Sequence, residues 1–248
     1  MKTLIGIISC HTRPQFQQAI RDTWFSTVPV GMDVKFFLGR GATRQPKSDE
    51  VFLDADDSYQ GLPEKVQGMI RWAYKNGEDF VAKVDDDVVV NPQAYMASDF
   101  QEYDFVGPQN PWVKAGEIRT PWGFFYTLSR RAMKLVIDAP LPGRHGSTHA
   151  YRHGNDEAWI STVLHINGVL LHEDPRYFLH RGVPLTPRPR GLRPLNRPKP
   201  AVPVPVPGTF AWCMYIDSGL HNVPSEDMLK EYFKIWKETQ NVPSRRQK

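Results

Sequence analysis

The chain has 248 residues, 40% of them hydrophobic and 12% aromatic, enough for the core of one large α/β domain or two small ones. No run of about 18 apolar residues occurs, which excludes a membrane-spanning helix, and two cysteines, Cys10 and Cys213, exclude a disulfide framework. The net charge of +4 is unevenly placed: residues 184–207 carry four Arg, one Lys and no acid, the final RRQK adds +3, and the remaining body is net −4.

The opening MKTLIGIISCHTR has too short an apolar stretch for a secretory signal and reads as a first buried strand over Thr3–Ser9. A helix is expected over 14–24, with Pro14 in its first turn. Strands follow at Val34–Leu38 and Val51–Leu53, separated by a polar loop. Leu62, Val66, Met69, Ile70 and Ala73 form one apolar helical stripe, and Gly77 ends that helix. Phe80–Val84 is the next strand. Strands alternating with helices predict an α/β fold with a mainly parallel central sheet flanked by helices.

Further on, Phe124–Leu128 reads as a strand, Ser129–Ile137 as a helix, the glycine- and histidine-rich PGRHGSTHAYRHGN as a loop, and Asp156–Ile166 as a helix. Nine prolines in residues 184–207 make that stretch an extended excursion from the domain rather than helix or central strand. Ser225 can cap a last helix whose apolar face is Met228, Leu229, Tyr232, Phe233 and Trp236. The whole chain, 1–248, is expected to form a single domain, with the excursion at 184–207 and a basic tail at 245–248.

The most informative stretch is FVAKVDDDVVVN, residues 80–91. Three consecutive carboxylates, Asp85, Asp86 and Asp87, interrupt a segment otherwise suited to burial. Such crowding is tolerable if a divalent cation neutralises it, and oxygen ligands suit Mg²⁺ or Mn²⁺. An EF-hand is excluded, because Val90 and Met96 stand where that loop needs Gly and Glu. A metal bound to a diphosphate is the natural alternative, and in open α/β sheets ligands bind beyond the carboxyl ends of strands.

A hydrophobic strand, an Asp-x-Asp and a second hydrophobic strand resemble a glycosyltransferase of the GT-A, Rossmann-like type. RDTW (21–24), FFLG (36–39), DDSYQGLPEK (56–65), KVDDDVVVN (83–91), GFFYTLSRRAMKLV (123–136), NDEAWISTVLH (155–165) and LHNVPSEDMLKEYFKIWK (220–237) together resemble, in order, the β1,3-glycosyltransferase family that includes Fringe and the core-1 galactosyltransferase. Departures accompany the likeness. The family's membrane anchor and several disulfide cysteines are absent, Phe125 replaces a usual glycine and is expected to crowd the acceptor side, and Asp156-Glu157 stands where the family has Glu-Asp.

The resemblance implies transfer of a sugar from a UDP-sugar to an acceptor hydroxyl with inversion, assisted by Mn²⁺ or Mg²⁺. It makes Asp87 the direct metal ligand, places Asp85 toward the nucleotide with Asp86 in support, and gives His221 as a further metal ligand, with His180 its rival. Glu157 is the first choice for general base and Asp156 the second. Arg21, Lys65 and Lys83 are candidate cations for the diphosphate, and Thr12 and Arg13 lie where this fold holds the nucleotide. Trp112 and Trp122 are the aromatics that could stack on sugar or base.

A non-catalytic carbohydrate- or nucleic-acid-binding module is the rival reading. The joint presence of Asp85, Asp87, Glu157 and His221 argues against it. A sugar-nucleotide pyrophosphorylase would want a glycine-rich loop after the first strand, and CHTRPQ has no glycine. The expected setting is cytoplasmic, bacterial or virus-infected. The expected acceptor is a bacterial or viral glycan, a lipid-linked sugar, a protein, or hydroxymethylated DNA, the last being the leading candidate for a polyanion met by the basic segments.

Overall fold

The structure is a computed structural model. It describes residues 1–108, 110, 117–142, 156–174, 176–181, 211–215, 230, 233, 234 and 237; of residues 177–181 and 211–215 it describes the backbone.

The strands and helices follow in the order β1 (Thr3–Ile8), α1 (Pro14–Arg21), β2 (Met32–Leu38), β3 (Glu50–Phe52), α2 (Leu62–Lys75), β4 (Phe80–Asp85), β5 (Val88–Val90), α3 (Pro92–Met96), β6 (Phe105–Gly107), β7 (Phe125–Ser129), α4 (Arg130–Asp138), α5 (Asp156–Ile166), β8 (His172–Glu173), β9 (Tyr177–Arg181) and β10 (Ala211–Tyr215). Seven strands form the main sheet in the order β3-β2-β1-β4-β7-β6-β8. The β3-β2-β1-β4 half is parallel, β7 runs antiparallel to both β4 and β6, and β6 pairs with β8 in parallel. A smaller sheet, β5-β10-β9, stands beside it.

Alternation along β1 divides the core. Ile5 and Ile7 face α1, α3 and β5, while Leu4 and Ile8 face α2, α4 and α5. The predicted stripe of α2 is buried as expected, with Val66, Met69, Ile70 and Ala73 fully enclosed. Gly77 follows that helix with φ +79°, the left-handed conformation that glycine adopts without a Cβ penalty. Ser129 caps α4 by accepting from the Ala132 N–H.

The first helix is shorter than the 14–24 expected. Thr23 folds back, its hydroxyl donating to the carbonyls of Ala19 and Ile20, and a single 3₁₀ turn follows at Trp24–Thr27. Lys230, Phe233, Lys234 and Lys237 are helical where the last helix is expected, and Phe233 packs into the core. Its Ser225 cap, the excursion at 184–207 and the basic tail lie outside the described residues.

The chain leaves β1 toward β2 on one side and returns through α2 to β4 on the other. The carboxyl ends of β1 and β4 therefore form a topological switch point, where open α/β sheets place their ligands. No described helix is long and apolar enough to cross a membrane.

Candidate active site

The three aspartates occupy the turn from β4 to β5 at this switch point. In the parallel register Ile8 lies beside Asp85, so the loop after β1 meets the aspartate turn. Two further bonds fix the turn: the Asp85 N–H donates to the Phe124 carbonyl, and the Trp24 indole donates to the Val88 carbonyl. Trp24, from the RDTW stretch, thus braces the turn from beneath.

The three carboxylates differ in environment. Asp86 points inward, with its side chain 2% exposed, accepting from the Ser9 hydroxyl at 2.7 Å and pairing with Arg13 at 2.7 Å. Gln17 donates to that same Ser9 oxygen. Burial pushes the Asp86 carboxyl up to about 7 despite Arg13, and Asp87 adds to the rise. Asp85 and Asp87 remain accessible, with 38% and 24% of their side chains exposed. Burial and the neighbouring Asp85 charge raise Asp87 as well. Two accessible carboxylates flanking a buried one is the arrangement expected if the outer pair meets a ligand while the inner one holds the turn.

A second acidic group closes the site from the start of α5. Asp156 is buried and accepts from the Tyr126 hydroxyl at 2.5 Å. Glu157, the next residue, is half-buried, and its carboxylate lies directly over Gly123. Burial, then the Asp156 charge, push Glu157 up to about 8, with Lys83 opposing. Burial raises Asp156 too, again against Lys83.

Lys83 joins the two acidic groups. Its side chain is 3% exposed, and its ammonium donates to Asp85 at 2.6 Å and to the Gly123 carbonyl, with Asp156 at 3.9 Å. Burial alone would lower its pKa, but Asp156 and Asp85 outweigh it and hold the ammonium charged. Across the site stands Tyr59. Although the residue is 63% exposed, partial desolvation on the side facing the site, and then the charges of Glu157, Asp156 and Asp85, raise its hydroxyl.

The predicted residues divide accordingly. Asp85, Asp86, Asp87, Arg13, Lys83, Asp156 and Glu157 converge. Thr12 lies on the same loop, exposed, with its hydroxyl 3.2 Å from Cys10 Sγ. Lys65 is buried behind the site, where it bonds the Asp57 carboxylate and the Ser9 carbonyl. Asp57 in turn accepts from the backbone N–H groups of His11 and Gly39, so the Lys65–Asp57 pair ties together the loops after β1, β2 and β3. Arg21 lies apart from the acids, its guanidinium donating to Asp49 and Glu50 at the start of β3.

Phe125 does not crowd the acceptor side. It is fully buried against Tyr95, because alternation along β7 turns it to the face opposite Tyr126. Trp122 is half-buried against the core. His221 and Trp112 lie outside the described residues, and of His180 only the backbone, in β9, is described.

The sequence reasoning did not single out Tyr126, Gly123, Tyr59, Asp57 or Ser9. Gly123 and Tyr126 sit in the GFFYTLS stretch, and Asp57 and Tyr59 in DDSYQGLPEK, so the motifs flagged the segments but not these side chains.

Among the described residues, five carboxylates at this edge face two cations, Lys83 and Arg13, and Arg13 keeps buried Nε and Nη2 atoms without a hydrogen-bond partner there. Among the described residues no three metal-binding side chains converge. Two accessible carboxylates with an uncompensated negative field nevertheless fit a divalent cation that takes its remaining ligands from phosphate and water.

Residues 16–122 match the sequence model of the galactosyltransferase family. That span contains RDTW, FFLG, DDSYQGLPEK and KVDDDVVVN. No curated protein matches. Among solved structures, the galactosyltransferase LgtC, crystallised with donor and acceptor sugar analogs, superposes with a TM-score of 0.51 at 10% identity, covering 97% of this chain and 98% of that one. A nucleotide-diphospho-sugar transferase from Desulfovibrio desulfuricans G20 covers 70% of this chain and 80% of its own, with a TM-score of 0.44 and 13% identity. The LgtC match shows the GT-A fold over nearly the full length, and the galactosyltransferase family model matches 107 of the 248 residues, those that carry the aspartate turn.

Proposed function

We propose that this protein is a glycosyltransferase that transfers a sugar from a UDP-sugar to an acceptor hydroxyl with inversion, using Asp85 and Asp87 at the donor diphosphate and Glu157 as general base. The observation that carries the reading is the contrast within the Asp156–Glu157 pair. Asp156 is enclosed and committed to Tyr126 and Lys83, whereas Glu157 is partly accessible, with its carboxylate over a glycine. Of the two, only Glu157 is open to an acceptor hydroxyl, and its raised pKa suits a base working near neutrality.

Asp85 and Asp87 would hold a divalent Mn²⁺ or Mg²⁺, which when bound supplies Lewis-acid stabilisation of the leaving diphosphate. His221 is the further ligand proposed for it. Arg13 reaches Asp86 and Asp87 and orients the turn. Lys83 is buried between the donor-side and acceptor-side carboxylates, so it positions both and balances their charge rather than meeting phosphate directly. Lys65 and Asp57 keep the nucleotide-side loops in register. Arg21 supports the start of β3 and is not assigned to the donor.

The test is transfer from labelled UDP-sugars, with Mn²⁺ and with EDTA, onto free glycosides and onto hydroxymethylated duplex DNA. The DNA arm is motivated by the +5 charge of residues 184–207. Glu157→Gln should abolish transfer while donor binding stays near wild type, because the base acts only in the chemical step. An active Glu157→Gln beside a dead Asp156→Asn would exchange the two roles. Activity in both variants would overturn the base assignment.

A further inference from the structure

A cavity of about 330 Å³ runs along α5, lined by Phe105, Glu117, Arg119, Ser161, His165, Val169, Leu170 and Leu171. Two of its walls belong to segments that begin at the candidate active site. On one side, Glu157, Ser161 and His165 recur every four residues and share a face of α5. At 1.5 Å per residue, Ser161 lies about 6 Å and His165 about 12 Å beyond the base. On the other side, the 117–123 segment runs from Gly123, against the Glu157 carboxylate, to Arg119 and Glu117 on the cavity.

The chemistry of the lining is specific. Phe105, Val169 and Leu171 give an apolar floor. The Ser161 side chain, in a residue 2% exposed, has a buried hydroxyl with no hydrogen-bond partner among the described residues. Such a group is stabilised by a ligand atom that completes its bond. The rim is mixed in charge, with Arg119 paired to Glu173 at 3.2 Å and Glu117 beside it, which does not suit a phosphate. The volume exceeds the ~150 Å³ that accepts a benzene ring, and it lies at the small end of ligand pockets, on the order of 300 Å³.

We propose that this cavity is the subsite for the non-reacting end of the acceptor, and that it takes an apolar, ring-sized aglycone carrying one hydrogen-bonding atom for Ser161. The proposal rests on Glu157 being the base, since that places the reacting hydroxyl at the cavity's near end. It makes the acceptor a glycoside of an apolar group rather than a bare sugar.

The test is calorimetric titration of the full chain, with UDP and Mn²⁺ present, using paired p-nitrophenyl and methyl hexosides. At least one p-nitrophenyl member should bind about tenfold or more tighter than its methyl partner. Ser161→Leu, which fills the cavity from the helix, should remove that preference while leaving methyl-glycoside and UDP binding unchanged. His165→Trp, at the exposed rim, is the second variant and should do the same without touching the core. Equal binding of both members of every pair by the wild-type protein, or a preference that survives both variants, would overturn the proposal. The titration reads binding, not turnover. An aryl preference lost in both variants but without sugar transfer would keep the subsite and reject the transfer reading, and transfer without any aryl preference would do the reverse.

Discussion

Gly123→Ala tests the position of the base without altering any titratable group. A Cβ built on Gly123 falls 2.9 Å from Glu157 Oε2, 3.0 Å from Cδ and 3.3 Å from Oε1. Ordinary contact begins near 3.4 Å, so the carboxylate must retreat by about 0.5 Å. That is the tolerance of a catalytic constellation, about 0.5 Å, and a misplacement of about 1 Å can cost ~100-fold. The expected loss in kcat is therefore about 10- to 100-fold, or roughly 1.4–2.7 kcal/mol of transition-state stabilisation. The obstructing atoms are the end of a flexible side chain, so folding should lose less than about 1 kcal/mol. Initial-rate kinetics with UDP-sugar and a glycoside acceptor, run beside UDP calorimetry and thermal unfolding, separate the effects. Unchanged UDP affinity with a reduced kcat is expected. A variant whose kcat stays within about twofold of wild type would show that the carboxylate over Gly123 is not doing the chemistry.

Tyr126→Phe removes the hydroxyl that Asp156 accepts from while keeping the ring in the core, and should cost about 1.5–3 kcal/mol in urea unfolding. The acid limb of the kcat/KM profile should rise with pH to a midpoint well above the ordinary glutamate range, because Glu157, facing Asp156, Asp85, Lys83 and Tyr59, must ionise to act; Glu157→Gln should abolish the limb together with the activity. Glu50 carries a stability term of opposite origin: burial would raise its carboxyl, but Arg44, the Lys47 N–H and Arg21 hold it at about 2. Its contribution is full above the unfolded value near 4.5 and disappears as pH falls toward 2. It is worth up to about 3 kcal/mol, so Glu50→Gln should flatten acid unfolding over that window.

Much of the fold was legible because its signals are periodic. The apolar run of β1, the stripe of α2 and the acid-led α5 each declare their type locally, and their order gives the parallel half of the sheet. Among the strands that escaped, β6 and β8 are three and two residues long and carry no period of their own, while β9 and β10, five residues each, flank the proline-rich excursion. The site was legible in its acids, since Asp85–Asp87 and Asp156–Glu157 are conspicuous at element ends. Its cations were harder, because a sequence does not say which acid a cation meets. Arg21 is occupied by Asp49 and Glu50, some 28 residues on, and Lys65 by Asp57 and the Ser9 carbonyl. The direction of Phe125 was a question of register, and a shift of one residue along a strand exchanges the site for the core.

The central claim is that a divalent cation links the accessible pair, Asp85 and Asp87, to the donor diphosphate. Calorimetry of UDP binding to the wild-type protein, with Mn²⁺ and then with EDTA, tests it most directly. Binding in Mn²⁺ should be at least about tenfold tighter than in EDTA, with the difference lost in Asp87→Asn. Equal affinity in Mn²⁺ and EDTA would contradict the metal bridge and with it the reading of the aspartate turn.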